Sequence, residues 1–261
     1  MRAAWRLVRL LTTTMAYTAG VALWSRMLPH RERIRFRARH QSRGSSILCR
    51  IFGIEVRVRG ARVPDRPLLV VCNHFGILDP FILASVLQVA FVGKAEIRKW
   101  PLFGWVAQVF AVIFVYRDKT HTVADLIGRV RARMRSGVPV LIFPEGTTSP
   151  DETIRPFKTG GFAAVVDMPD AAVLPVYLAP ISVNGEPIGG SNRRTVTWAG
   201  ENEPFLSNLW RVLELRRIVM EVRFGEAFDV NHLGRKNLAD EAHRRVEALR
   251  DGRAMEDTFA G

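Results

Sequence analysis

His74 and Asp79 stand five residues apart in Cys72-Asn73-His74-Phe75-Gly76-Ile77-Leu78-Asp79-Pro80, directly after the apolar run Leu68–Cys72. If that run is a strand, the pair lies at its C-terminal turn, where a carboxylate can reach back to one imidazole nitrogen and fix the tautomer. The other nitrogen is then a base for a hydroxyl that the substrate itself brings. No Gly-x-Ser-x-Gly elbow occurs that would supply an enzyme nucleophile. Each residue also has a structural role open to it, since Asp before Pro caps helices and His is at home in a turn.

A second segment, Phe143-Pro144-Glu145-Gly146-Thr147-Thr148-Ser149, follows the apolar run Val138–Phe143. It puts a carboxylate and a Gly turn at another strand's C-terminal end, where ligands collect in open α/β sheets. Arg155 and Lys158 come soon after, while Lys94 and Arg117 each sit just past an apolar run, in Phe91-Val92-Gly93-Lys94 and Ile113-Phe114-Val115-Tyr116-Arg117. Cations gathered at strand ends suit an anionic ligand. Singly, each is an ordinary turn or loop residue, and it is their joint occurrence that marks a site.

Positioning these residues requires a sheet. From Ile54 onward short apolar runs alternate with helical patterns, so the expected fold is α/β, a mixed and mostly parallel sheet wrapped by helices. Strands are expected at 55–59, 68–72, 90–93, 112–116, 138–143, 172–177, 195–198 and 219–224. Helices are expected at 81–89, 101–110, 122–135, 162–167 and 236–249, and a loop at 185–194. With 261 residues and 48% hydrophobic content, the chain can bury one sizeable domain plus a small appendage. The boundary falls near residue 52, giving an N-terminal unit of residues 1–52 and an α/β domain of residues 53–261.

The N-terminal unit holds most of the charge. The formal net charge is +13, and residues 1 to 66 carry fifteen Arg against Glu32, Glu55 and Asp65, a local net of +12. The apolar run Leu10–Ser25 inside this stretch argues for an anionic membrane surface and against nucleic acid. At about 16 residues it is shorter than the roughly 20 that cross a bilayer core. The bulky residues after it offer no signal-peptide cleavage site. Arg2, Arg6 and Arg9 share one helical face, and Arg31, Arg35, Arg39 and Arg43 repeat the habit after Pro29. The expectation is a membrane-associated helical hairpin lying in the cytoplasmic interface of the inner membrane, with a short tilted span or a pair simply packed on the domain as alternatives. Cys49 and Cys72 are expected to stay reduced, and no metal-type Cys or His spacing occurs.

Taken together, the His-x4-Asp block, Lys94-Ala95-Glu96 with Tyr116-Arg117, Phe143-Pro144-Glu145-Gly146-Thr147 and Leu174-Pro175-Val176 resemble, in order, the glycerolipid acyltransferase superfamily typified by bacterial 1-acylglycerol-3-phosphate acyltransferase. The resemblance covers roughly residues 53 to 180. It implies His74 as base and Asp79 as its orienting partner. Lys94, Arg117, Glu145, Gly146 and Thr147 would bind the acceptor, with Asn73, Thr148 and Lys158 completing the set. It also implies acyl carrier protein or CoA thioester as donor, and neither metal nor cofactor. Members that form phosphatidic acid carry Arg where this chain has Thr148, which admits other lyso-lipids as acceptors. Esterification of 1-acylglycerol-3-phosphate is the leading expectation. Acylation of lyso-ornithine lipid and a non-catalytic membrane-surface role are the rivals.

Overall fold

The computed structural model describes residues 1–100, 102–110, 112–115, 123–149, 151–198 and 203–252. Leu68–Cys72 is buried at every position, the mark of a parallel strand covered on both faces. Its side chains alternate between two cores. Leu68, Val70 and Cys72 join one cluster with Ile51, Ile82 and Leu213, while Leu69 and Val71 join another with Met134, Phe162 and Val246. The sheet between those cores comprises β1 (Ile54–Gly60), β2 (Leu68–Cys72), β3 (Ala90–Lys94), β4 (Ile113–Val115), β5 (Val140–Ile142), β6 (Ala172–Val183), β7 (Glu186–Pro187), β8 (Ile218–Phe224) and β9 (Phe228–Asp229). Their order is β1-β8-β6-β2-β5-β3-β4, with β7 and β9 short additions to β6. Every pair along that path is parallel except β6 with β8.

The helices are α1 (Arg2–Arg26), α2 (His30–Phe52), α3 (Asp79–Val86), α4 (Phe103–Val109), α5 (Val123–Arg135), α6 (Phe205–Glu214) and α7 (Arg235–Arg250). The two helices expected around Pro29 are present, and they pack on the sheet domain. Cys49, Ile51 and Phe52 of α2 and Ala3 and Leu10 of α1 enter the first core. Arg6, expected to face headgroups with Arg2 and Arg9, instead donates to the carbonyls of Leu213, Leu215 and Arg216 at the end of α6. Those carbonyls lack helical partners, so a guanidinium there acts as a cap supplied by another helix. Among the described residues no helix is long and apolar enough to cross a membrane.

Four expectations need correction. Residues 195–198 are not a strand: a 3-10 turn, Arg193–Thr195, leads into a segment whose Trp198 N–H donates to Phe75 O and whose Thr197 O accepts from Asn208 and Arg211. The alternating Thr-Val-Thr-Trp pattern finds its partners in side chains and a loop carbonyl instead of a strand edge. Those side chains belong to α6, which the sequence reading missed. The expected helix at 162–167 is a 3-10 helix over Thr159–Ala164, where Gly161 lies so close to Ile142 that a Cβ would sit 2.6 Å from its Cδ1. Finally, β6 continues past Tyr177 to Val183, because Pro180 is accommodated by a register shift against β8 between Pro180 and Ser182.

Phe162 is fully buried where the 3-10 helix meets β2 and α7. Phe162→Ala is expected to cost about 3–5 kcal/mol of stability, read as a lowered urea midpoint at unchanged slope.

Candidate active site

β2 and β5 are parallel neighbours, with Val71 opposite Ile142, so the turns that follow them leave the sheet side by side. The first turn begins with Asn73, whose Oδ1 accepts from Leu178 N–H at 2.8 Å and whose Nδ2 donates to Leu178 O at 3.0 Å. The amide thus copies a strand residue and ties the turn to β6. Its oxygen and one amide hydrogen are engaged by Leu178, so it braces the turn.

His74 comes next and is fixed at four points. Its N–H donates to Glu145 Oε1 at 2.8 Å, and its carbonyl accepts from Ser149 N–H at 2.7 Å. Its ring stacks on Phe143 with centroids 4.1 Å apart and planes at 18°, and Nδ1 lies 2.7 Å from Asp79 Oδ2. Asp79 is completely buried, and the same Oδ2 accepts from Phe75 N–H at 2.7 Å and Gly76 N–H at 2.9 Å. Oδ1 is buried with no hydrogen-bond partner. Of the two roles open to Asp79, helix cap and partner of His74, the cap position is taken by Leu78, and the Asp79 side chain turns back toward residues 74–76. A carboxylate can only accept, so Nδ1 carries the proton and Nε2 keeps its lone pair.

The second turn is held by Glu145. Oε2 accepts from Ser149 Oγ–H and from Arg155 N–H, both at 2.9 Å, and the residue is only 3% exposed. Burial raises its carboxyl above the usual range, outweighing the pull of the Arg155, His74 and Ser149 hydrogen bonds. Glu145, expected as an acceptor contact, thus braces the His74 turn from inside. Gly146 has φ +74° and lies under Lys158, whose Nζ would be 2.8 Å from any Cβ added there. Both constraints select glycine.

Thr147 is half-buried and Thr148 buried, while Lys158 and Lys94 are exposed. Lys94 ends β3, two strands from β2, which at the usual strand spacing is roughly 10 Å along the same sheet edge. Arg117 lies outside the described residues. The sequence reading gave no role to Phe143 or Ser149, although both flank the Pro-Glu-Gly turn. Only the pairing of β2 with β5 reveals what they touch.

Neither Ser149 nor Cys72 is a ready nucleophile at this edge. The Ser149 hydroxyl is buried and donates to Glu145. The Cys72 thiol is pushed well above its ordinary range by burial and then by the charges of Asp79 and Glu145. What remains is a histidine with one nitrogen locked to a carboxylate, which suits proton abstraction from a bound hydroxyl.

A family model described as acyltransferase matches residues 55–183. Over 236 residues, 88% of this chain and 78% of its own, the lyso-ornithine lipid O-acyltransferase of Rhizobium meliloti is 31% identical. The enzyme of the same name from Brucella abortus is 35% identical, covering 78% of each chain. The 1-acyl-sn-glycerol-3-phosphate acyltransferase of Neisseria gonorrhoeae is 29% identical over 66% of this chain and 64% of its own. The crystal structure of a 1-acyl-sn-glycerophosphate acyltransferase from Thermotoga maritima superposes with a TM-score of 0.61 at 22% identity, covering 94% of this chain and 98% of that one, and so shares the fold.

Glu145→Gln is expected to lower stability by about 1–3 kcal/mol, because an amide cannot accept from Arg155 N–H and His74 N–H without turning an NH2 toward one of them. Since the folded carboxyl titrates above its unfolded value, its contribution is fully present below the unfolded pKa and is lost as pH rises through the folded one. The stability advantage of wild type over Glu145→Gln should therefore widen as pH falls through the carboxylate range in denaturation series. A gap that narrows with acid would contradict the burial argument.

Proposed function

This chain belongs to the acyltransferase family, and on that premise we propose that it transfers an acyl group from acyl carrier protein or CoA thioester to the free hydroxyl of a lyso-lipid. The observation that carries the mechanism is the 2.7 Å contact between His74 Nδ1 and Asp79 Oδ2. His74 Nε2 takes the acceptor's proton as the acceptor oxygen attacks the thioester carbonyl. The imidazolium so formed is stabilised by Asp79 and returns the proton to the departing thiolate as the tetrahedral intermediate collapses. The products are the acylated lipid and a free thiol, and no cofactor beyond the donor takes part.

Lyso-ornithine lipid is the acceptor that the relatives favour, since those so named align over most of both chains. The second reading is 1-acylglycerol-3-phosphate, supported by the Neisseria relative. Either acceptor presents an anion, a carboxylate or a phosphate, to which Lys94 and Lys158 are suited. Thr148, which replaces the Arg of phosphatidic-acid-forming members, supports the ornithine reading. The test is thiol release by purified protein given acyl thioester and each lyso-lipid in turn. Release with neither would sink the proposal.

The protein is further proposed to dock on the cytoplasmic face of the inner membrane through residues 1–52, acting as an interfacial unit joined to the catalytic domain of residues 53–261. Supporting this, α1 presents Trp5, Val8, Met15, Leu23 and Trp24 to solvent, with Met27 exposed just past its end. α4 and α6, which pack on α1, add exposed Trp105, Leu206 and Trp210. An apolar outer face with Arg along its flanks suits the interface of an anionic bilayer.

His74→Ala should reduce turnover by roughly 10²- to 10⁴-fold with folding intact, and Asp79→Asn should lower kcat comparably while leaving KM nearly unchanged. Near-wild-type turnover in either variant would refute the assigned role. Trp24→Glu should weaken co-sedimentation with vesicles without altering the melting temperature, since its side chain is 64% exposed. Undiminished sedimentation would place the docking face elsewhere.

A further inference from the structure

Far from the catalytic edge, α2 crosses the end of α5. Arg35 Nε donates to Ser136 O at 2.6 Å and Gln41 Nε2 to Val89 O at 3.1 Å, so the crossing lies where β5 and β3 begin. Four guanidinium groups gather there, Arg33 and Arg37 one turn apart on α2 and Arg129 and Arg133 one turn apart on α5. Arg33 donates to Leu28 O at 3.1 Å, and Arg37 donates through two nitrogens to Ser25 Oγ at 3.1 and 3.3 Å. Arg133 has no hydrogen bond or ion pair to any described residue. The Nε atoms of both Arg33 and Arg133 are buried without a partner.

Among the described residues no carboxylate pairs with Arg33, Arg37 or Arg133. Burial and then the like charge of Arg33 lower the Arg37 guanidinium, and burial, Arg129 and Arg37 lower that of Arg133. The carboxylate in the group is Asp125, 3.7 Å from Arg129 on their own helix. Arginine does not deprotonate in such a setting, so the repulsion stays until an anion offsets it.

We propose that the corner formed by Arg33, Arg37 and Arg133, with Arg129 at its rim, binds the phosphate of an anionic phospholipid headgroup. The ligand is a lipid because the residues that hold Arg37 and Arg33, namely Ser25 and Leu28, alternate along the chain with the exposed Leu23, Trp24 and Met27. Apolar anchors and guanidinium groups held only by neutral oxygens therefore share the tip of the hairpin, at the depth where acyl chains meet phosphates. This site rests on the membrane docking proposed above. It adds a headgroup contact made jointly by the hairpin and the catalytic domain.

The test uses the full chain and co-sedimentation with equimolar phosphatidylcholine and phosphatidylglycerol vesicles. Arg133→Gln should bind about tenfold more weakly than wild type, the loss of one charge-assisted contact, and Arg37→Gln should follow it. Arg62→Gln, which removes the same charge from an exposed connection, should stay within about twofold. If Arg133→Gln fails to keep the wild-type circular dichroism, Arg37→Gln decides. Wild-type binding by the folded corner variants, or an equal loss in Arg62→Gln, would overturn the site in favour of diffuse attraction. Release of wild type from vesicles by inorganic phosphate, down to the Arg133→Gln level, would show a preference for the free ion and overturn the lipid assignment. So would a corner variant that keeps vesicle binding but loses an acidic acyl carrier protein. Thiol release by wild type in detergent micelles reads acyl transfer separately, so failure there and failure here are distinguishable.

Discussion

Two buried carboxylates hold the candidate site in shape, and each accepts from three donors of the surrounding backbone and side chains. Burying such a group is costly unless hydrogen bonds replace its hydration. Asp79 Oδ2 takes its three from a single turn, the His74 ring and the N–H groups of Phe75 and Gly76. Glu145 takes its three from separate segments, at His74, Ser149 and Arg155. The two sets meet at His74, whose ring belongs to one and whose backbone N–H belongs to the other. Moving the imidazole would strand donors on both sides, and this is the physical content of a preorganised base.

The sheet order makes that meeting possible. A parallel β2–β5 pair brings both turns to one edge, and β3 adds Lys94 to the same edge. The antiparallel junction between β6 and β8 then reverses direction, so that β8 and β1 begin beside Val183, beyond the catalytic edge, and end at Phe224 and Gly60, level with Cys72. The end of α2 that feeds β1 is thereby anchored close to α6, whose last carbonyls take the Arg6 guanidinium from α1. Catalytic edge and apolar outer face are set relative to each other by hydrogen bonds and core packing, with no flexible tether between them.

Much of this was legible in the sequence, because parallel strands buried on both faces announce themselves as unbroken apolar runs. Leu68–Cys72 was readable for that reason, the helix pair about Pro29 through the spacing of its arginines, and the C-terminal helix through its 3.6-residue periodicity. What failed was local pattern without knowledge of partners. Thr195–Trp198 alternates like a strand, but its backbone is claimed by Phe75, Asn208 and Arg211. At the site, residue types pointed to the right edge of the sheet, while direction was invisible. Glu145 and Asn73 carry the chemistry of ligand contacts, yet both point inward, a fact set by the neighbouring strand and not by their own neighbours in sequence.

The pairing of β1 also sets a timetable for the chain's birth. Ile54 lies opposite Ile218, and β1 has no other neighbour on the sheet path. On the ribosome, β1 emerges long before the strand that will hold it, and contacts so far apart in sequence are slow to form. Until β8 arrives, one edge of β6 and the whole of β1 are open to other strands. The charged side chains of Arg57 and Arg59 along β1 are then more than surface decoration. They act as gatekeepers that keep a waiting edge from pairing with the wrong chain.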